Sequence, residues 1–79
     1  MANLEGGIII MPLTFAPQGT INKIKQIKGK DDTRRFLGEL GFTIGGDVTV
    51  VAEMGGNMIV NVKDARIAIS KSMANRIMV

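Results

Sequence analysis

The rhythm of hydrophobic and polar positions changes along this chain, from helical spacing to alternation. Helical spacing governs residues 31–42, Asp31-Asp32-Thr33-Arg34-Arg35-Phe36-Leu37-Gly38-Glu39-Leu40-Gly41-Phe42. Phe36, Leu37 and Leu40 form one apolar face, with Arg34, Arg35 and Glu39 off it. Asp31 or Asp32 suits the N-cap, where a carboxylate accepts from first-turn N–H groups at the positive end of the helix dipole. Gly41 fits the left-handed residue that ends a helix. Phe42 is then the hydrophobe that packs back on Leu37. Gly38 costs about 1 kcal/mol against Ala inside a helix, which implies that another backbone approaches it closely. Phe36 and Phe42 are both expected in the core.

Alternation governs the second half. Residues 48–53 place Val48 and Val50 on one face and Thr49 and Val51 on the other. Met54-Gly55-Gly56-Asn57 reads as a hairpin loop. Residues 58–62 set Met58, Val60 and Val62 against Ile59 and Asn61. Lys63-Asp64 is a tight turn, and residues 65–70 set Ile67 and Ile69 against Arg66 and Ala68. Residues 70–75 fit one helical turn capped by Ser70 or Ser72, and residues 76–79 a last strand.

The first thirty residues are less regular. Residues 1–7 read as a loose leader; Ile8-Ile9-Ile10 is an edge strand if ordered and an exposed sticky segment otherwise, and Pro12 breaks the run. Met11-Pro12-Leu13 looks like an alternative chain start, which makes residues 1–10 an extension and 11–79 the domain. Ala16-Pro17-Gln18-Gly19 is a turn. Ile21, Ile24 and Ile27, three apart, fit a helix face by spacing. The β-branched content and the stop at Gly29 favour a strand over residues 20–28, with the period of three marking a bulge. The whole pattern predicts a mostly β domain: a small barrel of five to six short strands with one short helix and a C-terminal helical turn.

Composition narrows the chemistry. The chain has no Cys, His, Trp or Tyr, so disulfide, thiolate and imidazole chemistry are absent. A small domain without such staples favours the cytoplasm. The longest apolar run, Ile8-Ile9-Ile10-Met11, is too short for a membrane span. The net charge of +3 is mild, and its densest segment carries Lys23, Lys25, Lys28 and Lys30. Nucleic-acid binding by small barrels uses a basic groove with stacking aromatics, and of Phe15, Phe36 and Phe42 only the first is spare. A solvated strand face is the better reading of the lysines. The carboxylates Glu5, Asp31, Asp32, Glu39, Asp47, Glu53 and Asp64 include one adjacent pair, which capping explains, so no metal site is expected. The serines and threonines lack a His to activate them. Residues 41–46 lack the Lys-Ser/Thr ending of a phosphate loop. No enzyme activity and no cofactor is expected.

Several short motifs, in order, resemble one known family. They are Met11-Pro12-Leu13, then Gly19 before an apolar strand, then Arg34-Arg35-Phe36-Leu37-Gly38-Glu39-Leu40-Gly41-Phe42. Gly45-Gly46-Asp47-Val48-Thr49-Val50-Val51 follows, then Ile59-Val60-Asn61-Val62, Ala65-Arg66-Ile67-Ala68-Ile69 and Ala74-Asn75-Arg76-Ile77. Together they resemble FeoA-type domains (ferrous iron transport protein A) from about Met11 to Val79, departing at Ile44, where a proline is common. The resemblance implies an SH3-like barrel acting as a small cytoplasmic accessory of ferrous iron uptake. Its implied partner is the cytoplasmic part of a ferrous iron transporter, a FeoB-like GTPase, met by protein–protein interaction without membrane insertion. A similar fold occurs as the C-terminal domain of some metal-dependent repressors. A nucleic-acid-binding small barrel and such a regulatory domain are the alternative readings. Met and Arg are enriched at interfaces. The candidate partner contacts are therefore Arg34 and Arg35, off the buried helix face, and Met54 and Met58, at and beside a hairpin tip.

Overall fold

The structure, a computed structural model, describes residues 10–79. The expected leader and the Ile8-Ile9 part of the expected edge strand lie outside the described residues. Six strands form two antiparallel sheets: β1 (Ile21–Lys23), β2 (Gln26–Ile27), β3 (Asp47–Met54), β4 (Asn57–Val62), β5 (Ala65–Ser70) and β6 (Ile77–Met78). The larger sheet runs β1-β3-β4-β5 and the smaller pairs β2 with β6. Helix α1 (Asp31–Leu40) links β2 to β3, and the short α2 (Lys71–Ala74) links β5 to β6. Leu13–Phe15 make a 3₁₀ turn.

The alternation read in the second half holds. Val48, Val50, Met58, Val60, Val62 and Ile69 line the interior with Leu13, Ile24, Leu37, Phe42 and Ile77. A bulge leaves Val51 without a partner, since Val50 pairs with Val60 and Ala52 with Ile59. A bulge bends and twists its strand, which helps a short sheet wrap around this core. At the β4–β5 turn, Lys63 and Asp64 have φ of 48° and 63°. Two positive-φ residues make the mirror-image turn whose twist matches flanking strands. Ser70 caps α2, its Oγ accepting from the Met73 N–H at 3.2 Å.

Helix α1 ends as its sequence requires. The Phe42 N–H donates to the Leu37 carbonyl and the Gly41 N–H to that of Gly38, both at 3.0 Å. This is the paired bonding of a Schellman motif, and Leu37 and Phe42 are both fully buried.

Four expectations need correction. First, the N-cap of α1 is Lys30, with no side-chain cap bond. Asp31 instead accepts from Arg34 Nη2 at 2.7 Å, while both aspartates remain in the first turn, where the dipole favours them. Second, Phe36 is 47% exposed. The helix buries only a narrow stripe through Leu37 and Leu40, and Phe36 lies 100° around the axis from Leu37. Third, a Cβ built on Gly38 meets nothing within 4 Å, so no backbone approaches it. Fourth, residues 20–28 are not one strand. β1 pairs with β3 and β2 with β6. Between them Ile24 is buried, its N–H donating to the Gly46 carbonyl at 2.9 Å and its carbonyl accepting from the Gly45 N–H at 2.7 Å. The three-residue period marks a crossing from one sheet to the other. The start of the described chain is held by its C-terminal residues. Met11 exchanges backbone bonds with Val79 at 3.0 and 2.8 Å, Pro12 bridges Met78, and Leu13 already turns.

Candidate interaction surface

The four-stranded sheet has one face in the core and one outside. Cross-strand register shows what the outer face carries. Ile21, Thr49, Asn61 and Arg66 stand opposite one another across all four strands. Arg66 Nε donates to Asn61 Oδ1 at 3.2 Å, which holds the guanidinium along the row. Lys23 Nζ lies 2.8 Å from Asp47 Oδ1 at the rim. Such an exposed pair contributes about 0–1 kcal/mol. Ile21, Asp47, Thr49, Asn61, Arg66 and the Lys63-Asp64 turn line an open groove of about 650 Å³.

The next row along the same face is Ala52, Ile59 and Ala68, and the one after it Met54, Asn57 and Ser70. The outer face therefore carries apolar side chains from Ile21 at one end to Met54 at the other, which are 68% and 65% exposed. Neither large side chain lies under another element, and each leaves apolar area in water that a partner surface can cover.

The four expected contact residues fare differently. Met58 is fully buried. It shares the inward side of β4 with Val60 and Val62, so the alternation that places those valines in the core places Met58 there too, out of a partner's reach. Met54 is exposed on the outer face. The hairpin behind it is pinned to α2 by Lys71 Nζ–Glu53 Oε1 at 2.9 Å and by the Lys71 N–H donating to the Gly56 carbonyl at 2.9 Å. Arg34 is drawn back along α1 by Asp31. Arg35 is exposed and makes no ion pair among the described residues. The C-terminal end of α1 lies beside the β4–β5 turn, where a Cβ on Gly41 would sit 3.5 Å from the Lys63 side chain. Met54 is a strand length away, about 20 Å, at the other end of β4.

Sequence reasoning missed Ile21, which its isoleucine spacing had grouped with two more covered residues. The polar row was legible, because Thr49 and Asn61 are the polar members of alternating strands.

Among the described residues no helix is long and apolar enough to cross a membrane. Among the described residues no three carboxylates converge, and the chain has neither His nor Cys.

Comparison with known proteins is consistent across sequence and structure. Residues 11–79 match the FeoA domain family. A Methanocaldococcus jannaschii protein named for Fe(2+) transport (protein A) is 32% identical over 68 residues, 86% of this chain and 83% of that protein. A crystal structure of an iron uptake regulatory protein (FeoA) superposes with a TM-score of 0.81 at 28% identity, covering 89% of this chain and 95% of the other. The zinc complex of Stenotrophomonas maltophilia FeoA, described as a procaryotic SH3 domain protein and candidate ferrous iron transport activating factor, has a TM-score of 0.65 at 30% identity. It covers 85% of this chain and 86% of its own. A manganese-dependent transcriptional repressor has a TM-score of 0.79 at 19% identity, over 89% of this chain and 40% of its own, and shows the fold alone. The SH3-like barrel expected from the motifs is the fold observed. The described residues of this chain do not fit a zinc site, since thiolate and imidazole donors are lacking and no three carboxylates come together.

Proposed function

The chain belongs to the FeoA domain family, and on that premise we propose that it is a small cytoplasmic accessory protein of ferrous iron uptake. It acts by protein–protein contact with the cytoplasmic, GTPase-bearing part of a ferrous iron transporter. It performs no bond-making chemistry of its own. Its contribution is a preformed surface on a rigid barrel, which keeps the ordering cost of association low.

The observation that carries this reading is the outer face of the four-stranded sheet. Ile21 and Met54 are its most exposed large apolar side chains, and Thr49, Asn61 and Arg66 supply hydrogen-bonding groups between them. An apolar anchor beside a polar row is the anatomy of a specific interface. Arg35 on α1 is a further contact in this reading.

The test is a binding titration of the purified chain against the transporter's soluble GTPase domain. Ile21→Glu and Met54→Glu are expected to weaken binding at least about tenfold, near 1.4 kcal/mol, and Arg35→Glu less, all with unchanged circular dichroism. Unchanged affinity in all three removes this surface. Absence of binding by the unaltered chain, together with a salt-sensitive shift on RNA, removes the reading itself.

A further inference from the structure

The four-stranded sheet ends on β1 at one side and β5 at the other, and the two edges are unlike. β1 is three residues long and carries Lys23, so it is short and charged, two of the devices that blunt an edge. β5 is six residues, Ala65-Arg66-Ile67-Ala68-Ile69-Ser70. It has no Pro and no Lys, and its register with β4 is unbroken from Ala65 to Ser70. Among the described residues its one strand neighbour is β4.

The two-residue turn at Lys63-Asp64 makes Val62–Ala65 a hydrogen-bonded pair, and such pairs recur at every second residue. Ala65, Ile67 and Ile69 therefore spend their backbone groups on β4. Arg66 and Ala68 direct theirs away from it, toward the open edge, as does the Ser70 N–H, while the Ser70 carbonyl serves the first turn of α2.

We propose that β5 pairs antiparallel with β5 of a second copy of this chain, about a two-fold axis through Ala68, joining two four-stranded sheets into one. In this register Ala68 faces Ala68 and Arg66 faces Ser70. The Ala68 pair gives two N–H···O bonds and each Ser70 N–H one more to the Arg66 carbonyl of the other copy, four in all, because the Ser70 carbonyl already accepts in the first turn of α2. On the inner side Ile67, partly exposed in the single chain, comes opposite Ile69 of the other copy, a β-branched cross-strand pair. On the outer side Ile59 and Ala68 of each copy form one apolar row across the axis. Shifting the axis to residue 66 would set Arg66 against Arg66, which like-charge repulsion disfavours. Shifting it to residue 67 would push Ser70 against the Asp64 turn. The strand is thus complementary to itself in one register, with its single charge placed opposite a hydroxyl. Self-complementarity of this kind is what a two-fold interface requires.

Sedimentation equilibrium on the whole chain tests this. The unaltered protein is expected to pass from monomer to dimer as its concentration rises toward about 1 mM, the range where K_d corresponds to roughly −4 kcal/mol. Ala68→Lys and Ala68→Glu, both at an exposed position, each set like charges across the axis and are expected to stay monomeric. Mixing them is expected to restore a one-to-one dimer. A chain that stays monomeric at about 1 mM, variants that dimerise as before, or a mixture that does not associate each overturn the proposal. Amide exchange on the unaltered chain gives an independent reading should a variant fail to fold. The Ala68 and Ser70 amides are expected to gain protection with concentration while Ile67 stays constant. Protection gained only when the transporter's soluble domain is added overturns the second copy in favour of a foreign strand.

Discussion

Met54 and Met58 stand on the two arms of one hairpin, yet they belong to different regions of the molecule. Met54 pairs with Asn57 on the outer face of the hairpin and Glu53 pairs with Met58 on the inner one. Met54 is left 65% exposed and Met58 has no exposed surface. The residue type is the same and so is the hairpin, so side-chain chemistry cannot separate them. Strand parity does, because a strand sends successive side chains to opposite faces. Position within the element, not identity, decides whether a methionine fills the barrel or faces a partner.

The sharpest test of that contrast is Met58→Ala. Truncating a fully buried Met removes its transfer energy and leaves a cavity, so a loss of about 2–5 kcal/mol is expected, read as a lower midpoint in urea with an unchanged slope. In a domain this small that is a large share of the total stability. A loss below about 1 kcal/mol would mean that the barrel collapses around the site.

The glycines of α1 repeat the contrast more weakly. Gly41 has φ of 110° and sits against Lys63, whereas Gly38 lies inside the helix with open space where a Cβ would go. Gly41→Ala is expected to destabilise by roughly 1–2 kcal/mol, the cost of a left-handed L-residue. Gly38→Ala is expected to stabilise by about 1 kcal/mol through helix propensity alone. Paired urea melts read both, and the same sign for the two would break the distinction.

The smallest effect belongs to Met54→Lys. An exposed site away from caps and buried groups is expected to stay within about 0.5 kcal/mol of the unaltered chain. A larger loss in thermal or urea unfolding would show that Met54 packs on the sheet and is not available to a partner.

Much of the barrel is legible in the residues. Val48, Val50, Val60 and Val62 announce their face by alternation, and the same alternation carries Met58 inward once it is followed through. Gly41 and Phe42 announce the end of α1, because few sequences satisfy the carbonyls there. Phe36 is not legible. Its neighbour Leu37 is equally apolar, and which of them is covered depends on how wide a stripe of α1 the barrel can reach. The candidate surface is legible in its polar members, Thr49 and Asn61. It is not legible in Ile21, whose spacing with Ile24 and Ile27 conceals a change of sheet in mid-segment.

By itself the sequence determined the order of elements from α1 onward, the inner face of each long strand, the stop of the helix and the family motifs. Each is set by residues close together in the chain, through backbone sterics, hydrogen-bond supply or a period of two. Tertiary structure alone decided three further matters: that residues 21–27 are divided between two sheets, that Ile21 and Met54 end on one exposed face, and that β5 has β4 as its one strand neighbour among the described residues. Those depend on which strands meet across the barrel. That pairing is a contest among distant segments for the same backbone partners, and no local pattern records its outcome.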